Sequence, residues 1–241
     1  MKNISIIIIA LNEEKYLSPL FESLLNQTKQ NFEIIFVDSK SKDNTFKIAK
    51  DYSRKFNKFK IIKLKSAKGP GYARNQGEKN ASYNNILFLD SDIILKQNFI
   101  ERINILLNQG IEVATFLLKV DDKSKYRILF ALNNFFIYSS RYFSRTLCTG
   151  AAGILSTKEI HKKINGFDER IIYGEDSHYF NESSKIGKFK ILKIYNYTSA
   201  RRFKKNYFSL LFKIIKVNLQ RLLFKKEIYD SKKIDYKFGL N

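Results

Sequence analysis

The chain has 241 residues, of which 44% are hydrophobic and 28% are charged, an ordinary composition for a globular protein. This length is enough for one large α/β domain or two small ones. The 44 Lys and Arg residues outnumber the 23 Asp and Glu residues and give a formal net charge of +21. Such a charge attracts nucleic acid, anionic lipid or phosphorylated substrates, although abundant Lys, Ile, Asn and Phe also fit the codon bias of an AT-rich genome.

The sequence carries no sign of secretion, of an internal disulfide or of a membrane-spanning helix. Cys148 is the single cysteine, so no disulfide can form within the chain. The apolar run 4–11 follows one lysine and lacks a small-residue cleavage pattern. No apolar run approaches the roughly 18 residues that a membrane span needs. We therefore expect a cytoplasmic protein, or one attached to the cytoplasmic face of a membrane.

Strands and helices are predicted to alternate along the first half of the chain. Residues 5–11 form a continuous β-branched run typical of a strand buried on both faces, and Asn12 can cap the helix after it. Further strands are predicted at 32–37, 59–64, 86–89 and 113–118, with helices between them. This alternation predicts one α/β domain with a mostly parallel central sheet flanked by helices.

The second half of the chain has a more mixed pattern. Residues 126–143 are aromatic and helical in period, 148–155 are extended, and 158–164 are helical, with His161 expected on the helix surface. We divide the chain into a domain at 1–198, with halves at about 1–120 and 121–198, and a tail at 199–241.

The tail differs from the rest in charge. It contains 12 Lys and Arg residues and 3 Asp and Glu residues, a net charge of 12 − 3 = +9. Within 206–226 the polar residues Ser209, Lys213, Lys216 and Gln220 form one stripe on a helix that is otherwise apolar with basic edges. This pattern predicts an amphipathic helix that lies in a membrane interface, on the domain or on a second subunit.

Polar and acidic residues follow three predicted strands. These clusters are Asn12-Glu13-Glu14, Asp38 and Asp90-Ser91-Asp92. In a parallel α/β sheet the ligand binds beyond the carboxyl ends of the strands, so these side chains are expected around one crevice. Two carboxylates one residue apart can contact a ribose and hold a divalent cation that bridges two phosphates, although a solvated turn also produces this triplet.

Two further segments indicate phosphate binding and acid–base chemistry. Gly69-Pro70-Gly71 precedes a helix that carries Arg74, and a helix N-terminus with an arginine favours phosphate, although an ordinary turn has the same sequence. Glu175 and Asp176 follow Gly174, which is typical of a helix N-terminus. A carboxylate at this position can also remove the proton of an acceptor hydroxyl as a general base.

Taken in order, these segments resemble glycosyltransferase family 2, whose members have the GT-A fold. The resemblance rests on five motifs between residues 5 and 176: Ser5-Ile-Ile-Ile-Ile-Ala-Leu-Asn-Glu-Glu14, Val37-Asp-Ser-Lys-Ser-Lys-Asp-Asn-Thr45, Gly71-Tyr-Ala-Arg-Asn75, Phe88-Leu-Asp-Ser-Asp92, and Asn165-Gly-Phe-Asp-Glu169 with Gly174-Glu-Asp176. It implies an inverting transfer of a sugar from a UDP-, GDP- or similar nucleotide-diphosphate sugar to an acceptor hydroxyl or lipid phosphate, with Mg²⁺ or Mn²⁺ as cofactor and a glycan or lipid-linked acceptor as partner.

The resemblance also implies roles for individual residues. Asp176 matches the catalytic base, and Asp92, with Asp90, matches the metal-binding pair. The nucleotide is expected to contact Ala10, Leu11, Asn12, Glu13, Asp38, Arg74 and Asp90. Weaker expectations for the diphosphate or the acceptor fall on Glu175, His178, Arg201 and Arg202.

Some residues depart from the family pattern. Ile9 stands where many relatives have proline, and Lys40 replaces the usual glycine after the second strand. No histidine follows His178, and the arginines of the segment Ser199-Ala-Arg201-Arg202-Phe203 stand late in the chain instead.

Two alternatives belong to other functional classes. A sugar-phosphate nucleotidyltransferase would have a glycine-rich, lysine-bearing loop after the first strand, where this chain has Asn12-Glu13-Glu14. A basic nucleic-acid-binding protein would not place acidic clusters at the strand ends, so we expect no nucleic-acid partner.

Overall fold

The computed structural model describes residues 1–120, 127, 130–131, 134–135, 138, 153–171 and 173–198. The strands are β1 (Ile4–Ala10), β2 (Phe32–Asp38), β3 (Phe59–Lys63), β4 (Asn85–Asp90), β5 (Ile93–Ile94), β6 (Val113–Val120), β7 (Ile154–Thr157) and β8 (Phe189–Thr198). The helices are α1 (Glu14–Leu25), α2 (Thr45–Ser53), α3 (Pro70–Lys79), α4 (Phe99–Asn108), α5 (Lys158–Lys163) and α6 (Glu175–Ile186).

These strands form one sheet in the order β3-β2-β1-β4-β7-β6-β8-β5. The pairs β3–β2, β2–β1, β1–β4 and β6–β8 are parallel, whereas β7 is antiparallel to β4 and β6, and β5 is antiparallel to β8. The predicted α/β fold with a mostly parallel sheet between helices is therefore confirmed. Within the residues that the structure describes, no helix is both long enough and apolar enough to cross a bilayer.

β1 shows why its sequence is continuously apolar. All seven of its residues are buried. Ile6 and Ile8 pack in the same core as Phe21 of α1, while Ile7 and Ile9 pack on the opposite face of the sheet in a second core. A strand covered by helices on both faces has no solvent side, so its sequence cannot alternate.

α3 lies unusually close to this central part of the sheet. A Cβ atom on Gly77 would lie 3.2 Å from Cγ2 of Val37 and would also collide with Ile7. The missing side chain lets the helix backbone approach β1 and β2 directly. This contact packs the C-terminal half of α3 directly on β1 and β2.

The expectation that His161 lies on a helix surface is wrong. The residue is 6% exposed, and its ring packs against Phe88 and Phe167. Its Nδ1 atom lies 3.1 Å from the hydroxyl oxygen of Tyr179, and its Nε2 atom lies 3.9 Å from a carboxylate oxygen of Glu78. Helical spacing alone did not show that the face of α5 that carries His161 packs on α6 and on the sheet.

Burial lowers the pKa of His161 to about 4 from a usual value of 6.5. As the pH falls, the unfolded chain therefore takes up a proton before the folded chain does. Stability from the neutral ring is complete above about pH 6.5 and is lost progressively towards pH 4. The loss amounts to about 3 kcal/mol over this range.

We predict that His161→Gln removes most of this pH dependence. Urea unfolding at pH 7.5 and pH 4.5 should show a free energy of unfolding that falls about 2–3 kcal/mol further in the wild type than in the variant. The variant will be less stable at pH 7.5 because it loses ring packing, so the comparison concerns the change with pH. An equal decrease in both proteins would contradict the assignment.

Candidate active site

The carboxyl ends of three neighbouring strands meet at one edge of the sheet. In the registers of β1, Ala10 stands opposite Asp38 of β2, and Ile9 stands opposite Asp90 of β4. Leu11, at the end of β1, is 8% exposed. The structure thus brings together the strand-end residues that the sequence predicts to line one crevice.

The loops that follow β1 and β2 are hydrogen-bonded to each other. The amide of Asn12 donates to Oγ of Ser41 over 3.0 Å, and the amide of Lys42 donates to Oδ1 of Asn12 over 2.9 Å. The amide of Glu13 donates to Oγ1 of Thr45 over 2.7 Å. The prediction that Asn12 caps α1 is wrong, because Glu13 occupies the cap position, where its side chain makes no capping hydrogen bond, and the Asn12 side chain holds the neighbouring loop instead.

Lys40 adopts a backbone conformation that favours glycine. Its φ angle is +69°, in the left-handed region that glycine adopts without steric cost. A side chain in this region costs roughly 1–2 kcal/mol, which the bonds between the two loops must offset. The departure from the family pattern therefore places a lysine, with an exposed side chain, at a strained position of this loop.

Asp38 and Ser39 are both buried at the end of β2. The Asp38 carboxylate accepts the amide of Ser41 over 3.3 Å, and the residue has no exposed surface. The Ser39 hydroxyl is also buried and has no hydrogen-bond partner among the described residues. Sequence reasoning missed Ser39, since an unpartnered hydroxyl is visible only once its surroundings are known.

Arg74 forms two ion pairs with residues that are distant in sequence. Its Nη2 atom donates to Oδ1 of Asp90 over 2.8 Å, and its Nη1 atom donates to Oε1 of Glu175 over 2.6 Å. Burial alone would lower the pKa of Arg74, but the charges of Asp90 and Glu175 outweigh it and raise that pKa. Burial raises the pKa of Glu175, with the charge of Arg74 acting in the opposite direction. The cluster joins α3, β4 and α6 at the edge of the sheet where the carboxyl ends of the parallel strands meet.

Asp176 lies in the first turn of α6, beside this cluster. Gly174 precedes the helix with a φ of +80°, and the Ser177 amide donates to Oδ1 of Asp176 over 2.8 Å. The predicted helix N-terminus at Glu175 and Asp176 is confirmed. The half-buried carboxylate of Asp176 therefore has a defined position next to Glu175.

His178 lies in a different environment from Asp176. It lines a cleft of about 450 Å³ together with Asp168, Arg170 and Glu182, and Asp176 is not among the described residues of that lining. Two positions along a helix correspond to roughly 200° of rotation, so the two side chains leave α6 on different sides. A contact of His178 with an acceptor remains a prediction.

The carboxylates at the end of β4 suit a hard divalent cation that brings its own further ligands. Asp90 and Asp92 are both half-buried, with the buried Ser91 between them. Among the residues described, no group of three or more His, Cys, Asp and Glu could hold a metal ion. The donor set therefore fits Mg²⁺ or Mn²⁺ held by one or two carboxylates and by phosphate oxygens, but not a cage made of protein alone.

Arg201 and Arg202 lie outside the described residues, as do the tail and most of segment 126–143. The chain that leads to these arginines is nevertheless placed. Thr198, the last residue of β8, pairs with Ile93 of β5, which directly follows Asp92. The end of β8 at Thr198 therefore lies next to the Asp90–Asp92 loop.

Comparison with known proteins identifies relatives and structural neighbours. Residues 5–158 match the profile described as "Glycosyl transferase family 2". The chain is 32% identical over 198 residues to the minor teichoic acid biosynthesis protein GgaA of Bacillus subtilis, covering 74% of this chain and 42% of that protein. It is 30% identical over 196 residues to a dolichyl N-acetyl-alpha-D-glucosaminyl phosphate 3-beta-D-2,3-diacetamido-2,3-dideoxy-beta-D-glucuronosyltransferase of Methanococcus voltae, covering 73% and 60%.

The fold has matching solved structures. Residues 1–349 of S. aureus TarS in complex with UDP-GlcNAc superpose with a TM-score of 0.70 at 22% identity, over 98% of this chain and 70% of that one. The mannosyltransferase PcManGT of Pyrobaculum calidifontis, in complex with GDP-Man and Mn²⁺, superposes with a TM-score of 0.73 at 13% identity, over 96% and 67%. These matches show the GT-A fold.

The chain is shorter than the curated relatives that it matches, of which it spans less than two thirds. The overlap amounts to 60% of the Methanococcus voltae protein, 42% of GgaA and 33% of the glycosyltransferase GlyG of Streptococcus pneumoniae. The family profile nevertheless covers more than half of the present sequence and includes the ends of β1, β2 and β4. The chain belongs to glycosyl transferase family 2.

Proposed function

We propose that the protein transfers a sugar, with inversion and with the help of a divalent metal ion, from a nucleotide-diphosphate sugar to an acceptor hydroxyl or lipid phosphate. The observation that carries this proposal is the meeting of three strand ends and the N-terminus of α6 at one edge of the sheet, joined through Arg74. Family membership and neighbours crystallised with UDP-GlcNAc or GDP-Man support a nucleotide-sugar donor. They give no support to a nucleotidyltransferase or a nucleic-acid-binding protein.

The nucleotide is proposed to lie across the ends of β1 and β2. The interlocked loops there hold the amides of Asn12 and Glu13, the Asn12 side chain and the Asp38 carboxylate. The backbone of Ala10 and Leu11 and the Glu13 side chain are proposed to contact the nucleotide beside them. The buried Ser39 hydroxyl adds a hydrogen-bonding group that no described protein atom uses. An unsatisfied buried hydroxyl costs about 1–3 kcal/mol, so a ligand atom that reaches it would gain affinity.

Asp92, with Asp90, is proposed to hold Mg²⁺ or Mn²⁺ together with the two phosphates of the donor. When bound, such an ion neutralises negative charge on the departing diphosphate. Arg74 already occupies one oxygen of Asp90. Asp92 is therefore the stronger candidate for the direct metal ligand, and Asp90 for contact with the ribose.

Asp176 is proposed to remove the proton of the acceptor hydroxyl as that oxygen attacks the anomeric carbon. A single displacement of the diphosphate by the acceptor oxygen inverts the configuration at this carbon, and a base in hydrogen-bond reach of the acceptor typically contributes about 10²–10⁴-fold to the rate. The backbone amides of the first turn of α6 favour a carboxylate at this position. Glu175 accepts a hydrogen bond from Arg74, so its carboxylate is less available to the acceptor than that of Asp176.

Arg201 and Arg202 are proposed to stabilise the leaving diphosphate. They follow Thr198 by three and four residues, and Thr198 is paired with Ile93 next to Asp92. Three to four extended residues span at most about 14 Å. Cations at this distance can compensate charge that the metal ion leaves on the phosphates, in a chain that lacks a histidine after His178.

Donor binding is expected to depend on the metal ion. In a panel that includes UDP-GlcNAc and GDP-mannose, we expect at least one nucleotide-sugar to be bound and slowly hydrolysed only when Mg²⁺ or Mn²⁺ is present. Asp92→Asn should weaken metal-dependent binding of the matching nucleoside diphosphate at least tenfold or so, since even residues that only support metal ligands are worth that much. Isothermal titration calorimetry with and without metal measures this effect. Nucleoside diphosphate binding that is unchanged both by removal of the metal and by Asp92→Asn would refute the proposed site.

The role of the base is expected to be separable from donor binding. Asp176→Asn should lower kcat for donor hydrolysis by about 10²–10⁴-fold and leave the dissociation constant of the nucleoside diphosphate unchanged, because the base acts only on the attacking oxygen. The exposed Asp51→Asn on α2 is the matched control and should keep the wild-type kcat. Wild-type turnover by Asp176→Asn would remove this residue from the reaction.

The tail is proposed to attach the protein peripherally to an anionic membrane, which would bring a lipid-linked acceptor close to the site. The full chain should co-sediment at low salt with vesicles that contain anionic lipid, and not with vesicles of neutral lipid, because basic residues near the surface each add about 1 kcal/mol. Lys213→Glu/Lys216→Glu should weaken this binding. Without sedimentation at low salt, the helix packs on the domain or on a second subunit instead.

A further inference from the structure

Arg74 connects two parts of the site that lie far apart in the sequence. Asp90 is separated from it by 16 positions and Glu175 by 101 positions, yet both accept hydrogen bonds from the same guanidinium group. Asp90 ends β4, two residues before Asp92, and Glu175 begins α6, one residue before Asp176. A single planar group thus lies between the proposed metal-binding loop and the proposed base.

The position of this guanidinium is itself tightly restrained. Arg74 is 6% exposed, and its Cζ atom lies 5.2 Å from the centre of the Phe167 ring. The Phe167 ring stacks on Tyr179 of α6 with 4.1 Å between ring centres. A buried, two-pronged cation resting on a stacked aromatic pair has little freedom to move towards another ligand.

The rest of α3 holds the same segment of chain. A Cβ atom on Gly71 would lie 3.3 Å from Cβ of Phe167, so the first turn of the helix packs closely on this loop. The Asn75 side chain donates to the carbonyl oxygen of Phe167 and accepts the amide of the same residue, each over 2.9 Å. Three residues of α3 thus fix the loop that leads into α6, with Arg74 the one that also reaches β4.

We propose that Arg74 is a positioning residue, which sets the distance between the metal-binding loop and the base by holding Asp90 and Glu175 at once. This inference rests on the proposed function and deepens it. The resemblance to the family implies a nucleotide contact for this arginine, whereas the inference assigns it the positioning of two other residues. Direct displacement needs the attacking oxygen in line with the anomeric carbon and the leaving diphosphate, and the base within hydrogen-bond reach of that oxygen. A shift of about 1 Å in this arrangement can reduce the rate about 100-fold. The positioning role predicts an effect on turnover, whereas a nucleotide contact predicts an effect on donor affinity.

Two variants of Arg74 separate these effects. Arg74→Lys keeps the charge but replaces the planar fork by a point charge, which cannot hold both carboxylates in the same geometry. Arg74→Met/Glu175→Met removes both buried charges, so the protein folds without an unpaired carboxylate in its interior. Arg102→Met is the matched control, because Arg102 is an exposed arginine of α4, a helix that contributes no residue to the proposed site.

The experiment uses the full chain and the donor selected by the nucleotide-sugar panel. For each folded variant we measure the melting temperature, the dissociation constant of the nucleoside diphosphate with Mn²⁺, and kcat for donor hydrolysis. We expect kcat to fall about 100-fold in both Arg74 variants, with the dissociation constant within about threefold of the wild type. Glu175→Gln, which keeps an oxygen acceptor for Nη1, should lose less turnover than either, and Arg102→Met should lose none.

The opposite division of effects would overturn the inference. A dissociation constant raised about 30-fold or more with kcat unchanged would make Arg74 a nucleotide contact. Wild-type kcat in a folded Arg74→Met/Glu175→Met protein would leave Arg74 with a role in stability alone, and a loss in Glu175→Gln as large as in the Arg74 variants would make Glu175 itself catalytic. If the wild type hydrolyses no donor in the panel, both the proposed function and this inference fail. The other outcomes overturn only the inference and leave the proposed function intact.

Discussion

The register of three parallel strands determines where everything else in the site can lie. Because Ala10 pairs with Asp38 and Ile9 with Asp90, the chain leaves β1, β2 and β4 at the same level of the sheet. The isoleucines of β1 do not by themselves fix this register, because a slip by one residue would exchange isoleucines between the two covered faces. The buried hydroxyl of Ser5 fixes it instead, since it donates to a carboxylate of β2 over 2.7 Å and accepts a backbone amide of the segment before β4 over 3.0 Å. The acidic residues at the other end of these strands are thereby held together by the sheet and not by attraction among themselves, which their like charges oppose.

The buried charges at this edge are arranged to compensate one another. Arg74 contributes one positive charge against Asp90 and Glu175, so the cluster keeps a net negative charge beside Asp92 and Asp176. Removing one partner of a buried ion pair typically costs 3–5 kcal/mol, whereas well-packed apolar replacements can be neutral. Such a cluster contributes little net stability but permits only one relative placement of α3, β4 and α6. That restriction is what a site assembled from distant segments requires.

The local sequence pattern predicted the strands in which nearly every residue is buried. β1, β2 and β4 are continuous apolar runs that end in acids, and they lie where these patterns indicate. β8 was not predicted, because its exposed lysines interrupt the apolar pattern, and β5 has two residues, too few for any period to show. The candidate site residues were predicted from their positions at strand ends and from the family motifs. The contacts of Arg74, the orphan hydroxyl of Ser39 and the burial of His161 depend on segments distant in sequence, which no local pattern records.

The short strand β5 makes the proposed metal-binding loop sensitive to restraints that act from outside the sheet. Its two residues pair with Tyr197 and Thr198, the last described residues before the basic tail. Two residue pairs restrain a segment far less than the seven that join β1 to β2. Anchoring the tail to a surface would immobilise the end of β8 and, through it, Ile93 and the carboxylates before it. Attachment and donor capture would then be thermodynamically linked, each lowering the entropy that the other must still lose.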